Sequence, residues 1–277
     1  MNAPTAATRL SEEHRRYLRW VPVAVLPCMA VGAWRFGPQV FLQLAVALMV
    51  GSVVAFGSDL LRRRRTRKSF WVPALLFILV IPSGLPLWAV ALGFGFALIV
   101  GREIFGGPGC ERFSVPLLGR LFLLLSYPAL MTGPCVGSFI VENGTLSVPA
   151  LTALCAGGVL LLIVRAADPR TLLVVAGLAM ATTFLTMHDH MATLDVMFNM
   201  IFLAAFFIAT DPVISPTGHA RFIYAAFIVV VATVLQIFGG GLEGVTVAVL
   251  SANALTPWMN RRAIDPKGEH NAATAQG

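Results

Sequence analysis

Charged residues are scarce in this chain of 277 residues, because aspartate, glutamate, lysine and arginine together make up only 12% of it. A soluble domain needs roughly 25% charged residues to cover its surface. Apolar residues reach 57%, and the mean hydropathy is +0.82. This shortage of charge excludes a water-soluble globular domain, so most of the surface must face a lipid bilayer.

Cysteines are also few, and they are scattered. The four are Cys28, Cys110, Cys135 and Cys155, with no C-x-x-C pair among them and no histidine beside any of them. This spacing is not that of a metal or iron–sulfur site built by this chain alone. We interpret the four as small apolar residues that fill space between helices.

Long polar segments are missing as well, and the chain consists mainly of apolar runs of about the ~20 residues that cross a bilayer. Each run must be a helix, because lipid offers a backbone no hydrogen-bonding partner outside its own segment. The sequence predicts ten spans, at 20–34, 38–58, 69–83, 85–101, 115–131, 147–164, 170–187, 192–210, 220–238 and 243–258. The third is short and bounded by proline, which favours a tilted or partly re-entrant helix.

Basic residues set the orientation of these spans. With the N-terminus in the cytoplasm, ten spans place all twenty lysines and arginines except Arg35 on the inner side. Losing or adding one span would scatter them, so both termini are predicted to be cytoplasmic. The basic run at 62–68 then anchors the topology at anionic lipid, and no nucleic-acid partner is expected.

A short internal repeat accompanies the ten spans. Ile-Phe-Gly-Gly occurs at 104–107 and again at 237–240, once at each side of the membrane. This arrangement indicates two five-span halves of opposite orientation, which place shared sites near the membrane centre at interrupted helices. The predicted divisions are a cytoplasmic segment 1–19, a first half 20–131, an outer loop 132–146, a second half 147–260 and a disordered cytoplasmic tail 261–277.

Four acidic residues lie at or near the ends of spans, where charge is costly and is usually functional. They are Glu103, Asp195, Asp211 and Glu243, and all but Asp195 stand beside glycine or proline. Broken helices expose carbonyl oxygens and helix N-termini, which bind cations and anions respectively. The functional interpretation is a cation path or a phosphate contact, and the alternative is helix capping at the membrane interface.

Glycines at 106, 107 and 109 precede Arg120 and could let the backbone approach a phosphate group. The pattern is not the dinucleotide-binding fingerprint, because no strand precedes it. His188 and His190 lie two residues apart and would point to different faces of a helix. A metal site is therefore not predicted.

Three stretches, in order, resemble the NqrB/RnfD family, the flavin-carrying membrane subunits of the Na+-translocating NADH:quinone reductase and of the Rnf electron-transport complex. They cover roughly residues 85–260. The first stretch runs from Leu85-Pro86-Leu87-Trp88 through Gly101-Arg102-Glu103-Ile104-Phe105-Gly106-Gly107 to Tyr127-Pro128-Ala129. The second stretch is Ala209-Thr210-Asp211-Pro212-Val213-Ile214-Ser215-Pro216. The third stretch runs from Glu243-Gly244-Val245 to Asn253-Ala254-Leu255-Thr256-Pro257.

The resemblance implies an all-α polytopic membrane protein of about ten helices, arranged as two inverted five-helix repeats with broken helices. It also implies a flavin, FMN or riboflavin. The family attaches FMN to threonine in a Ser-Gly-Ala-Thr-like motif that is absent here, so a non-covalent flavin is expected and Thr145 is the nearest attachment candidate. Where the family has Asn-x-x-Asn-Pro, this chain has Glu111 and Ser114, and Asn260 stands for a family aspartate.

The candidate site residues follow from both lines of reasoning. Cofactor contacts are predicted at Gly106, Gly107, Gly109, Arg120, Thr145, Asp211 and Pro212. An ion path is predicted along Glu103, Asp211, Glu243 and Asn253.

The favoured function is a membrane subunit of a flavin-dependent electron-transfer complex of the bacterial inner membrane, to which translocation of Na+ or H+ could be coupled. The chain has no NADH-binding fold and would need partner subunits, so at most it is the electron-transfer part of an oxidoreductase. One alternative is a channel or transporter for a small solute on the same scaffold, without redox chemistry. Another is a structural subunit that kept the scaffold and lost the chemistry.

Overall fold

The computed structural model of the chain is built almost entirely of helices. It describes residues 6–62, 69–131, 141–142, 145–146, 148–164, 177, 207, 211, 214–216, 220–237 and 241–263. The helices are α1 (Ala6–Phe36), α2 (Gln39–Arg62), α3 (Trp71–Val80), α4 (Leu87–Leu98) with a π-helical segment (Ile99–Glu103), α5 (Val115–Ser126) with a 3-10 turn (Pro128–Met131), α6 (Val148–Ile163), α7 (Ala220–Ile237) and α8 (Gly241–Ala263). Two short antiparallel strands, β1 (Val141–Glu142) and β2 (Thr145–Leu146), pair in the loop before α6.

Eight of the predicted spans coincide with these eight helices, most to within a few residues at each end. The predicted spans 170–187 and 192–210 lie outside the described residues. Helix α1 begins at Ala6, well before the predicted start at residue 20, so part of the segment 1–19 continues the first helix. Two helical stretches, His14–Phe36 and Gln39–Arg62, are long and apolar enough to cross a membrane.

Helix α2 shows the opposite pattern to a helix of a soluble protein. Its inward face carries small or polar residues, with Gln43, Ala47 and Gly51 buried. Its outward face carries large apolar side chains, among them Met49 at 65% exposure and Phe56 at 66%. Water would penalise such a surface, whereas lipid tails accept it and small residues allow close helix packing.

Helix α3 spans only part of a bilayer. Its ten residues rise about 15 Å, half of the ~30 Å hydrocarbon thickness. This confirms that the third span is short, and the segment 81–86 that follows is not helical. The carbonyl groups freed by the break need donors, because the surroundings are apolar.

Two buried side chains from neighbouring helices supply those donors. The Gln43 Nε2 group donates to the carbonyl oxygens of Pro82, Ser83 and Leu85 at 3.2, 3.0 and 3.0 Å. The Arg120 guanidinium of α5 donates to the carbonyl of Val80, the last residue of α3. The break is therefore held in place from two sides.

Helices α5 and α8 run antiparallel to each other. Arg120 Nε donates to Thr246 Oγ1 at 3.1 Å. The Asn253 amide oxygen accepts from the Ser114 N–H at 3.2 Å, while its nitrogen donates to Tyr224 Oη at 2.6 Å. Moving forward along α5 from Ser114 to Arg120 thus means moving backward along α8 from Asn253 to Thr246.

A glycine turn follows the π-helical segment and returns the chain towards α5. Gly106, Gly107 and Gly109 have φ angles of +122°, +100° and +87°, which L side chains rarely adopt. The Arg62 guanidinium at the end of α2 donates to the carbonyl groups of Gly106 and Glu103. A Cβ atom at Gly107 would lie 2.8 Å from Arg62 Nη1, so the turn and Arg62 fit closely.

Replacing Gln43 by leucine should destabilise the protein by roughly 2 to 5 kcal/mol, because three buried carbonyl groups would lose their donor. Thermal unfolding in detergent measures the effect. Gln39→Leu, at an exposed position of the same helix, is the control and should change the midpoint little. Equal midpoints for the two variants would contradict the role of Gln43 at the break.

Gly107→Ala and Gly109→Ala form a matched pair. Both variants should lose about 1–2 kcal/mol from the positive φ angle. Only Gly107→Ala also displaces Arg62, because nothing lies within 4 Å of a Cβ at Gly109. Chemical denaturation should therefore rank Gly107→Ala as the less stable variant, and the reverse order would exclude the packing of Arg62 on this turn.

Candidate functional site

A cluster of charged side chains lies where the π-helical segment ends. Arg102 Nε lies 3.7 Å from Glu103 Oε1 and 3.6 Å from Glu111 Oε1. Glu103 Oε2 lies 3.4 Å from Arg62 Nη2. The side chains of Arg102, Glu103 and Glu111 are only 3%, 14% and 9% exposed, so these charges are held largely away from water.

The local backbone explains why these groups meet. A π-helical turn adds one residue to the helical repeat, and the Ile104 N–H donates to the Ile99 carbonyl oxygen at 3.0 Å. Arg102 consequently faces the interior and Glu103 faces Arg62. The glycine turn then brings Glu111 back against Arg102, which neither a regular helix nor a longer loop would do.

A small cleft opens beside this cluster. Its polar lining comes from four parts of the chain: His14 and Tyr17 of α1, Ser69 before α3, Glu111 and Ser114 before α5, and Asp211. Tyr17 Oη donates to the Phe207 carbonyl oxygen at 2.5 Å. The cleft therefore joins the first predicted half to residues of the second.

Burial raises the pKa of the Glu111 carboxyl to about 7, and the negative charge of Asp211 contributes to this rise. The Arg102 guanidinium acts in the opposite direction, and Glu103 adds a smaller upward contribution. A carboxyl group with this pKa exchanges its proton near physiological pH. The cleft can thus hold either a protonated carboxyl or a carboxylate at Glu111.

The predicted ion-path residues do not form one cluster. Glu103 belongs to the charged cluster, and Asp211 is half-buried on the cleft. Asn253 is buried between α5 and α8. Glu243 is exposed in the first turn of α8, ten residues and about 15 Å from Asn253 along the helix.

The predicted cofactor contacts are also separated. The N–H groups of Gly106, Gly107 and Cys110 donate to the carbonyl oxygens of Glu103, Arg102 and Gly107 inside the turn. The turn offers the carbonyl oxygens of Glu103 and Gly106 to the Arg62 cation. A phosphate contact at this turn remains a prediction. Arg120 is 2% exposed and is bonded within the bundle, not to the turn.

Two further predicted contacts concern the loop before α6 and the second half. Thr145 lies in β2, opposite Glu142. Pro212 lies outside the described residues. Cofactor binding at either position remains a prediction.

Glu111 is the residue that sequence analysis missed. It stood out only as a departure from the asparagine of the family pattern. The available signal was an acidic residue directly after a glycine-rich turn, in a chain with few charges. Its partner Arg102 is nine residues away, and only the turn brings the two together.

Comparison with known proteins gives the family. The chain matches the family described as NQR2, RnfD, RnfE over residues 2–143 and 135–267, two stretches that overlap at 135–143 in the predicted outer loop. It is 30% identical over 271 residues to a subunit of the Na(+)-translocating NADH-quinone reductase of Ectopseudomonas mendocina, covering 80% of this chain and 66% of that relative. It is 27% identical over 318 residues to a subunit of the ion-translocating oxidoreductase complex of Haemophilus ducreyi, covering 87% of this chain and 91% of that relative.

The two relatives differ in how much of their length this chain covers. The chain spans about two thirds of the length of the reductase relative, and nearly all of the Haemophilus relative. Both relatives are subunits of ion-translocating oxidoreductases. The resemblance found in the motifs is confirmed, and this chain belongs to the NQR2, RnfD, RnfE family of membrane proteins.

Proposed function

We propose that this chain is a membrane subunit of an ion-translocating electron-transfer complex of the bacterial inner membrane. The observation that carries the proposal is the family match over almost the entire chain, which includes the buried charges at the end of α4. In this arrangement both termini face the cytoplasm, since the basic residues then lie on the inner side. The chain works with other subunits, as its relatives are subunits of an NADH-quinone reductase and of an oxidoreductase complex.

The cation path begins at the charged cluster and the cleft. Glu103 and Asp211 provide carboxylates at the cytoplasmic side, and the glycine turn provides carbonyl oxygens that already bind a guanidinium. Oxygen ligands of this kind suit Na+ as well as protons. Asn253 continues the path along the α5–α8 contact, and the exposed Glu243 stands at its outer mouth.

A flavin would supply the electron-transfer chemistry when bound, either non-covalently on this chain or on a partner docked against it. The N–H groups of Gly106 and Gly107 are engaged within the glycine turn, so they are not the donors that would hold a flavin phosphate. The described residues pair the buried charges of the cluster and supply hydrogen-bond donors to the carbonyl groups of the helix break.

The second candidate function is a transporter on the same scaffold without redox chemistry. The sequence of the loop 132–146 favours it, since that loop is short and lacks the Ser-Gly-Ala-Thr attachment motif. Solute uptake by proteoliposomes that is independent of redox state would support this alternative.

Copurification tests whether the complex binds a flavin and whether the flavin is held non-covalently. We expect flavin to accompany the complex expressed with its partner subunits and to be released by acid precipitation, because no covalent motif is present. Absorption and fluorescence spectra of the pellet and the supernatant measure this. Flavin retained in the pellet on this chain would contradict non-covalent binding, and a complex without any flavin would contradict the redox function.

Carboxylate variants test the ion path. Glu103→Gln and Asp211→Asn should reduce ion translocation about tenfold or more while electron transfer falls less, because each removes a charge that lies at least partly away from water. Glu243→Gln changes the exposed outer mouth of the path, where water can hydrate an ion, and should have a smaller effect than either. Ion flux and oxidoreductase activity are measured together in vesicles. Full flux in both the Glu103 and the Asp211 variants would exclude a path through these carboxylates.

A further inference from the structure

The side-chain amide of Gln43 has a buried oxygen atom at the helix break between α3 and α4. The residue is 0% exposed, and its Nε2 group donates to the carbonyl oxygens of Pro82, Ser83 and Leu85. Among the residues that the structure describes, no donor reaches Oε1 of the same amide. A buried amide oxygen without a donor is costly, so Oε1 needs a hydrogen-bonding partner from outside these residues.

The orientation of this amide is fixed by its neighbours. The three carbonyl oxygens lie 3.0 to 3.2 Å from Nε2. Rotating the amide by half a turn would point Oε1 at these oxygens, with no proton between the four acceptors. Nε2 therefore stays towards the break, and Oε1 stays the atom without a donor.

A count of donors and acceptors at the break leads to the same atom. Nε2 carries two N–H groups, and the Leu85 N–H donates to the Pro82 carbonyl oxygen at 3.2 Å. These three N–H groups serve the three carbonyl oxygens. Oε1 is the fourth oxygen of the group, and it is the one left over.

The break is open on one side, at Gly84. Gly84 is exposed, although Ser83 and Leu85 on either side of it are buried. A Cβ atom built on Gly84 would have no atom of the described neighbours within 4 Å. A small molecule can therefore approach the break beside the two residues whose carbonyl groups bind Gln43.

We propose that a water molecule binds at Gln43 Oε1, inside the helix break. One O–H group of the water donates to Oε1, and the other donates to a carbonyl oxygen of the break, which has two lone pairs. The carbonyl oxygens bonded to Nε2 lie near Oε1, because both atoms belong to one amide. The site depends only on the fold of the break, so it is independent of the proposed function.

The hydrogen bonds at the break select a neutral donor over a cation. A cation bound by carbonyl groups needs several oxygen atoms turned towards it. Here the three carbonyl oxygens are turned towards the N–H groups of Gln43, which repel a positive charge. Water needs only Oε1 and one further lone pair.

Radiolytic footprinting of the full chain in detergent tests for the water, because ordered waters release hydroxyl radicals that modify adjacent buried side chains. Leu85 in the break and Leu161 in α6 are a matched pair, since both are 0% exposed. Leu85 should be modified several-fold faster than Leu161, equally in sodium chloride and in choline chloride. Equal rates for the two leucines would overturn the proposal, and so would a loss of Leu85 modification in sodium, which would indicate a bound cation.

Infrared spectroscopy measures the state of Oε1 itself. Replacing Gln39, Gln236 and Gln276 by asparagine leaves Gln43 as the only glutamine to carry a ¹³C label. Its side-chain carbonyl band should lie at the lower frequency of a hydrogen-bonded amide, as measured for free glutamine in water. A band at the higher frequency of an amide in apolar solvent would show that Oε1 has no donor and would exclude the water.

Discussion

Every polar group inside this bundle has to find its partner within the protein, because the surrounding lipid offers none. The helix break after α3 shows the consequence most directly. Carbonyl oxygens freed at 80–85 accept hydrogen bonds from Gln43 of α2 and Arg120 of α5. The positions of α2, α3 and α5 are therefore fixed together, and the same requirement shapes the charged cluster at the end of α4.

That cluster exists because an arginine is buried there. Leaving the Arg102 guanidinium without a counter-charge would cost several kcal/mol in apolar surroundings. The π-helical segment and the glycine turn bring Glu103 and Glu111 to it from both sides. The turn needs left-handed glycines for this path, and its carbonyl oxygens are then bound by Arg62. The buried Arg102 charge is thus paired only because the backbone from residue 102 to residue 111 turns back on itself.

The contacts between α5 and α8 connect the two predicted halves by paired polar interactions. Arg120 contacts Thr246 in the N-terminal part of α8, and Asn253 contacts Ser114 immediately before α5. Each contact thus pairs a polar residue of one predicted half with a polar residue of the other.

The glycine turn changes the chemical interpretation of its own motif. Glycines near an arginine suggest a phosphate site when only the sequence is known. In the fold the N–H groups of Gly106 and Gly107 donate within the turn, and the carbonyl oxygens of Glu103 and Gly106 accept from the Arg62 cation. The family assignment stands independently of this turn, because it rests on the whole chain.

The sequence by itself determined the membrane environment, the approximate bounds of eight helices and the family, because hydrocarbon thickness and the scarcity of charge act on each segment separately. It also indicated that α3 would be short, from the prolines at its boundaries. The pairing of Glu111 with Arg102, the closure of the helix break by Gln43 and the separation of Glu243 from Asn253 were decided only by the tertiary structure. These features depend on which helix faces meet and on a π-helical turn, and no local pattern of residues specifies either.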